Sequence, residues 1–165
     1  MQYSRYSAAL VLLICLALAA PAFAAPAFTG LAISVADGDT LTVLTKDKRQ
    51  VKVRLYGIDC PERGQAFGNR ARQATTGLVQ GKTVTVRPLD VDEIGRTVAI
   101  VESPEIVLQA TLLATGMAWV YPRYCKLQAI CDEYRRLEAG ARAERRGLWR
   151  DKAPVPPWEW RRSKQ

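Results

Sequence analysis

The chain has 165 residues, 48% of them hydrophobic, which is enough for one domain with a sizeable core and too short for two comfortable ones. Its 24 lysines and arginines outnumber 16 aspartates and glutamates, and the net charge of +8 directs attention to polyanionic partners, nucleic acid or an anionic envelope surface. Histidine is absent, which excludes Ser-His-Asp and Cys-His nucleophilic machinery and any histidine-ligated metal.

In chain order, residues 1–24 read as a signal peptide: a basic Arg5, an apolar run from Ala8 to Ala20, and the small-residue exit Ala22-Phe23-Ala24. An uncleaved anchor is the alternative, although the run is short for a membrane span. Removing these 24 residues leaves 141 and, with Arg5, takes the charge from +8 to +7. The expected location is therefore secreted or periplasmic, with no stable membrane association after cleavage. Cys60, Cys125 and Cys131 remain in an oxidising compartment, where at least one disulfide is expected. Cys125 and Cys131 form the natural pair across a short loop, and whether they are joined is left open. No Cys/His spacing suggests structural zinc.

Residues 25–150 read as the folded domain. Strands are expected over Leu31 to Val35, Thr40 to Thr45, Gln50 to Tyr56, Thr83 to Arg87 (ended by Pro88) and Thr97 to Glu102. In the third, Val51, Val53 and Leu55 share one face, so Arg54 points away from them. Helices are expected over Gly68 to Val79, Glu105 to Thr115 and Asp132 to Arg146, with Gly81, Gly116 and Gly147 as stops and Asp132 as cap or first-turn acid. Tyr134, Leu137 and Ala141 make the buried stripe of the third. Five strands with tight turns and three helices predict an α+β fold built on a five-stranded Greek-key barrel. Residues 151–165 form a tail rich in proline, tryptophan and arginine, read as non-helical at Pro154, Pro156 and Pro157. Its Trp158, Trp160, Arg161 and Arg162 could stack on bases; the alternative is a tail that docks its tryptophans on the domain or stays mobile.

Chemistry concentrates between Asp37 and Glu62. Asp39 and Asp59 each lie at a strand end, and a barrel brings such ends together. Two carboxylates with a backbone carbonyl and water suit a hard cation such as Ca²⁺. Glu62 is placed to take a proton from water. Arg54, with Arg96 after the DVDEIG turn, could hold phosphate oxygens in bidentate fashion. Together they specify metal-assisted phosphodiester hydrolysis by a carboxylate-activated water. The alternative is a nucleic-acid-binding module on the same barrel without catalysis, and the retained acids and arginines are what separate the two.

The ordered series ADGDT, VRLYGIDCPE and DEIGR, followed by ATGMAWVY and RLEAGARAERRGLW, resembles the thermonuclease (staphylococcal nuclease-like) family from about Gly30 to Trp149. The resemblance implies an OB-fold barrel with three helices and a Ca²⁺-dependent nuclease that acts on DNA and RNA and leaves 3′-phosphates; the chain itself is expected to be a monomer. It implies calcium ligation by the Asp39 and Asp59 carboxylates and the Cys60 main-chain carbonyl, with Asp37 in the outer shell. Glu62 matches the general base, and Arg54 and Arg96 match the arginines that neutralise the scissile phosphate. Tyr124 matches a substrate-binding tyrosine. Glu93, Ile94 and Pro122 depart from the family pattern at positions that contact the nucleotide, and the loop between Arg63 and Gly68 is short.

Overall fold

The computed structural model describes residues 25–165, so the signal-peptide segment lies outside the described residues. The strands, in chain order, are β1 (Phe28–Val35), β2 (Thr40–Thr45), β3 (Gln50–Leu55), β4 (Ile58–Asp59), β5 (Thr83–Val91), β6 (Thr97–Glu102) and β7 (Trp119–Val120). Five of them close a barrel in the order β1-β2-β3-β6-β5. Four of its contacts are antiparallel, and β3 and β6 run parallel. This is the OB-fold arrangement, in an α+β domain.

Alternation fills the barrel. Ala32, Val43, Val53, Val86, Ala99 and Val101 have no exposed surface, and the leucines at positions 41 and 55 have almost none. In β1 the register shifts between Ala32 and Ser34, and this bulge returns Val35 to the interior after two outward residues. Proline does not end β5, contrary to the expectation that Pro88 stops it. Pro88 pairs with Ala99 next to a second register shift, the kind of ladder position where a missing N–H is tolerated, and the strand continues to Val91.

Helix α1 (Gly68–Val79) spans the predicted residues. Helix α2 (Leu108–Ala114) is shorter than expected, because the stretch before it is held by a bridge between Glu102 and Val107. Its Leu108, Leu112 and Leu113 seal the barrel. Gln109, fully buried, donates to the Ala99 carbonyl at 2.8 Å and accepts from the Val101 N–H at 3.2 Å. That amide caps β6 where its pairing with β3 runs out at Leu55 and Ala99.

Helix α3 (Gln128–Ala143) begins four residues before the expected Asp132. The Tyr56 hydroxyl accepts from the N–H groups of Lys126 (2.7 Å) and Leu127 (2.8 Å), and this fixes where the helix starts. Asp132 consequently lies inside the helix, paired with Arg135 rather than capping. The helix also stops earlier than predicted, with Arg145 rather than Gly147 supplying the first left-handed residue (φ 51°). Tyr134 and Ala141 are buried and Leu137 partly so, as its periodicity indicated.

Cys125 and Cys131 form a disulfide, and Cys60 is free and buried. Closing so small a ring is worth roughly 2 kcal/mol in the loop-entropy picture. A Cys125→Ala/Cys131→Ala double variant is expected to lose about that much unfolding free energy, read as a lower urea midpoint. An unchanged midpoint would show that the bridge adds nothing to the helix packing.

The two short strands β4 and β7 pair antiparallel outside the barrel. A second apolar cluster of Trp119, Ala141, Leu148 and Trp149 collects Phe67 and Trp158 around it. A 3₁₀ turn (Gly147–Arg150) leads to the tail, which is docked and ends in a short helix, α4 (Pro157–Arg162). Pro157 is helical after all. It opens the helix, where its missing N–H would have had no partner. Among the described residues no helix is long and apolar enough to cross a membrane.

Candidate active site

Three backbone devices assemble the acids. The first is the ADGDT turn between β1 and β2, where the Asp39 N–H donates to Asp37 Oδ1 (3.1 Å) and the Thr75 hydroxyl of α1 donates to the Gly38 carbonyl (2.6 Å). A side chain at Gly38 would have its Cβ 2.5 Å from the Cys60 Cβ, so glycine lets this turn lie against the Cys60 segment. The second is the 2.6 Å bond from the Cys60 N–H to Asp39 Oδ2, which ties the two segments together. The third is the β4–β7 pair, in which Asp59 lies opposite Trp119.

Asp39 and Asp59 are 2% and 0% exposed. Both are bound by Arg54, which leaves the third strand on the side away from Val53 and Leu55, as alternation requires. One of its amino groups donates to Asp39 Oδ1 and the other to Asp59 Oδ1 at 2.7 Å. Burial, together with the carboxylates of Asp37 and Asp59, outweighs Arg54 and raises the Asp39 pKa to about 8. Burial likewise pushes the Cys60 thiol well up, so it has the character of a packed neutral group.

Glu62 follows on a turn clamped by Gln65. The Glu62 N–H donates to Gln65 Oε1, and the Gln65 N–H donates back to the Glu62 carbonyl, both at 2.9 Å. Helix α1 starts directly against this turn, since a Cβ at Gly68 would collide with the Glu62 carbonyl. Arg96 comes to the same end of the barrel because β6 runs parallel to β3 and starts beside Val53. It donates to Asp92 Oδ2 (2.6 Å) and reaches Thr40 Oγ1 (3.4 Å), whose hydroxyl in turn lies 3.3 Å from Asp39 Oδ1. Asp92, bonded by Arg96 and by the turn's own N–H groups, sits below the usual carboxylate range despite some burial.

Tyr124 is not brought to the carboxylates by any hydrogen bond. It is half exposed and packs edge-on against Tyr121. Cys60 is placed beside Asp39 through its N–H; its carbonyl, the expected ligand, is not the group that makes this bond.

The sequence reads one residue of the site only as a tail arginine able to stack on bases. Arg161, in the tail helix, donates through Nη2 to Asp59 Oδ2 (2.8 Å) and through Nη1 to Asp59 Oδ1 (3.3 Å), and pairs with Glu62 Oε1. The ion pairs hold its guanidinium firmly charged. The available signal was the spacing of Trp158 and Arg161, three apart, which places both on one side of a helix. Reading the prolines as a bar to helix concealed it.

The donor set suits a hard divalent cation. Two buried carboxylates share one guanidinium, and one of them resists ionisation without more positive charge nearby. Among the described residues no group of three or more His, Cys, Asp or Glu side chains could hold a metal, so a cation on Asp39 and Asp59 would need main-chain oxygen or water for its other ligands.

Sequence comparison agrees with this geometry. Residues 52–151 match the family described as Staphylococcal nuclease homologue. Protein ParB of Escherichia coli is 42% identical over 96% of this chain and 90% of its own length. A micrococcal nuclease of Shigella flexneri is 40% identical over 82% of both chains. An uncharacterized endonuclease of Haemophilus influenzae is 36% identical over 81% of this chain and 72% of its own. Barrel and matched span together show that the chain belongs to the staphylococcal nuclease family, as a nuclease that hydrolyses phosphodiester bonds.

Proposed function

We propose that the chain is an exported, Ca²⁺-dependent, sugar-nonspecific nuclease that cleaves DNA and RNA to leave 3′-phosphates. The observation that carries the reading is the convergence of Asp39 and Asp59 on Arg54, with Glu62 joined to Asp59 through Arg161. Export is supported by the pattern of residues 1–24 and by the Cys125–Cys131 bond, which belongs to an oxidising compartment.

In this mechanism Asp39 and Asp59, with the Cys60 carbonyl, would hold the cation. When bound, calcium supplies positive charge to a phosphate oxygen and to the attacking water. Glu62 takes a proton from that water as its oxygen attacks phosphorus, and the P–O5′ bond breaks with the 5′ oxygen taking up a proton from solvent, so the phosphate stays on the 3′ side. Arg54 and Arg96 face the charge that builds on the phosphoryl oxygens, and a planar guanidinium with paired donors fits those oxygens better than a lysine would. Tyr124, exposed on the neighbouring aromatic group, offers a ring against which a base can stack.

The test is digestion of single-stranded DNA and of RNA with calcium and with a chelator. Both substrates should be cut with calcium, both should survive in chelator, and end-group analysis should find 3′-phosphates. Cutting that persists in chelator would overturn the metal assignment. Salt-sensitive binding without cleavage would favour the binding module instead.

A further inference from the structure

We propose that the C-terminal helix α4 is a tethered competitor for the divalent cation: Arg161 occupies carboxylate oxygens of Asp59 and Glu62, and cation binding releases it. The proposal rests on the reading of Asp39 and Asp59 as the cation ligands.

One rigid guanidinium covers two functions. Arg161 spans both oxygens of Asp59 and one oxygen of Glu62, so the same contact engages a proposed ligand and the proposed base. Asp59 has no exposed surface, so a cation reaching it must displace a neighbour. The candidates are the two arginines. Arg54 stands on a strand paired on both sides, with 17% of its side chain exposed, and is the more enclosed of the two. Arg161 is 39% exposed, on a six-residue helix whose only fully buried member is Pro157.

So short a helix has little stability of its own, and side-chain contacts hold it in place. Trp158 is stacked on Tyr121 (centroids 5.0 Å apart, planes within 3°) and meets Trp119 edge-on at 5.8 Å. Gln65, which also clamps Glu62, donates to the Val155 carbonyl at 2.7 Å. These contacts tether the arm at its N-terminal part. Beyond Trp158, the ion pairs of Arg161 are what bind it to the acids. A divalent cation that takes over the Asp59 oxygens repels the guanidinium and frees Glu62 with it, while the aromatic anchor keeps the arm close enough to return.

The experiment uses the full chain without substrate. Calcium affinity is measured by titration calorimetry for the unaltered protein and for Arg161→Gln, Arg161→Lys and Asp39→Asn. In parallel, a fluorophore on a Ser163→Cys variant reports the mobility of the arm by anisotropy; Ser163 is exposed, whereas the native free thiol of Cys60 is buried. The expected results are calcium affinity about tenfold tighter in Arg161→Gln, the size of one lost charge-assisted contact, an intermediate value in Arg161→Lys, and anisotropy that falls as calcium is added. Equal or weaker affinity in Arg161→Gln, or anisotropy that calcium does not change, overturns the competitor role while leaving the calcium reading intact. Binding that survives Asp39→Asn, or is missing from every variant, instead removes the calcium reading and the proposal with it.

Discussion

Glu62→Gln should lower turnover on single-stranded DNA by about 10²–10⁴-fold, or about 3–5 kcal/mol of barrier, with little change in KM. The amide keeps the size of the carboxylate but cannot accept a proton from water. The backbone should be undisturbed, because the Glu62 turn is held through main-chain groups and Gln65 rather than through the carboxylate. Only Oε1 accepts from Arg161, so Oε2 is open to receive the proton whether or not the arm is in place. The measurement is kcat at saturating substrate beside a Glu105→Gln control on the exposed segment before α2. A loss no larger than the control's would remove Glu62 from the chemistry.

Arg54→Ala should abolish measurable cleavage and also cost about 3–5 kcal/mol of stability, which no other single change in the site is expected to match. The arginine is the shared partner of two carboxylates, and its loss leaves Asp39 buried without a facing cation and Asp59 with Arg161 alone. The cost depends on pH. Burial first, then Asp37 and Asp59, already raise Asp39 to about 8, and Arg54 is the charge that opposes them. Without it the Asp39 pKa moves further up, so at and above about pH 8 the folded variant keeps a proton that the unaltered protein has lost, and its stability falls as pH rises there. The deficit relative to the unaltered protein should therefore be smaller below about pH 8, where Asp39 is protonated in both, and grow as pH rises through and above about 8. Urea unfolding at several pH values reads this directly, and a deficit independent of pH would contradict it. Arg54→Lys should fall between, since a single ammonium cannot fork across two carboxylates.

Most of the barrel was legible because its strands carry a period of two and its turns carry glycine and paired acids. Val53 and Leu55 against Arg54 is the clearest case: alternation alone separated core from site. Where reading failed, a long-range partner had overridden a local rule. Pro88 continues a strand because a register shift against β6 accommodates it. Helix α3 starts early because the Tyr56 hydroxyl, some seventy residues away in sequence, accepts the N–H groups of Lys126 and Leu127.

The candidate site divides in the same way. Asp39, Asp59, Glu62, Arg54 and Arg96 stood out in the sequence because each belongs to a short ordered motif, and the chemistry of their side chains narrowed the reaction before any geometry was known. Residue types and local spacing are properties of the chain itself. What they could not contain is which groups share an oxygen. The sharing of Arg54 between two buried acids, the arrival of Arg96 beside Thr40 through parallel pairing of β3 and β6, and above all the capture of Asp59 and Glu62 by Arg161 were decided by tertiary structure. Arg161 lies about a hundred residues from its partners, and it reaches them only because β4 pairs with β7, Tyr121 follows β7, and Trp158 stacks on Tyr121.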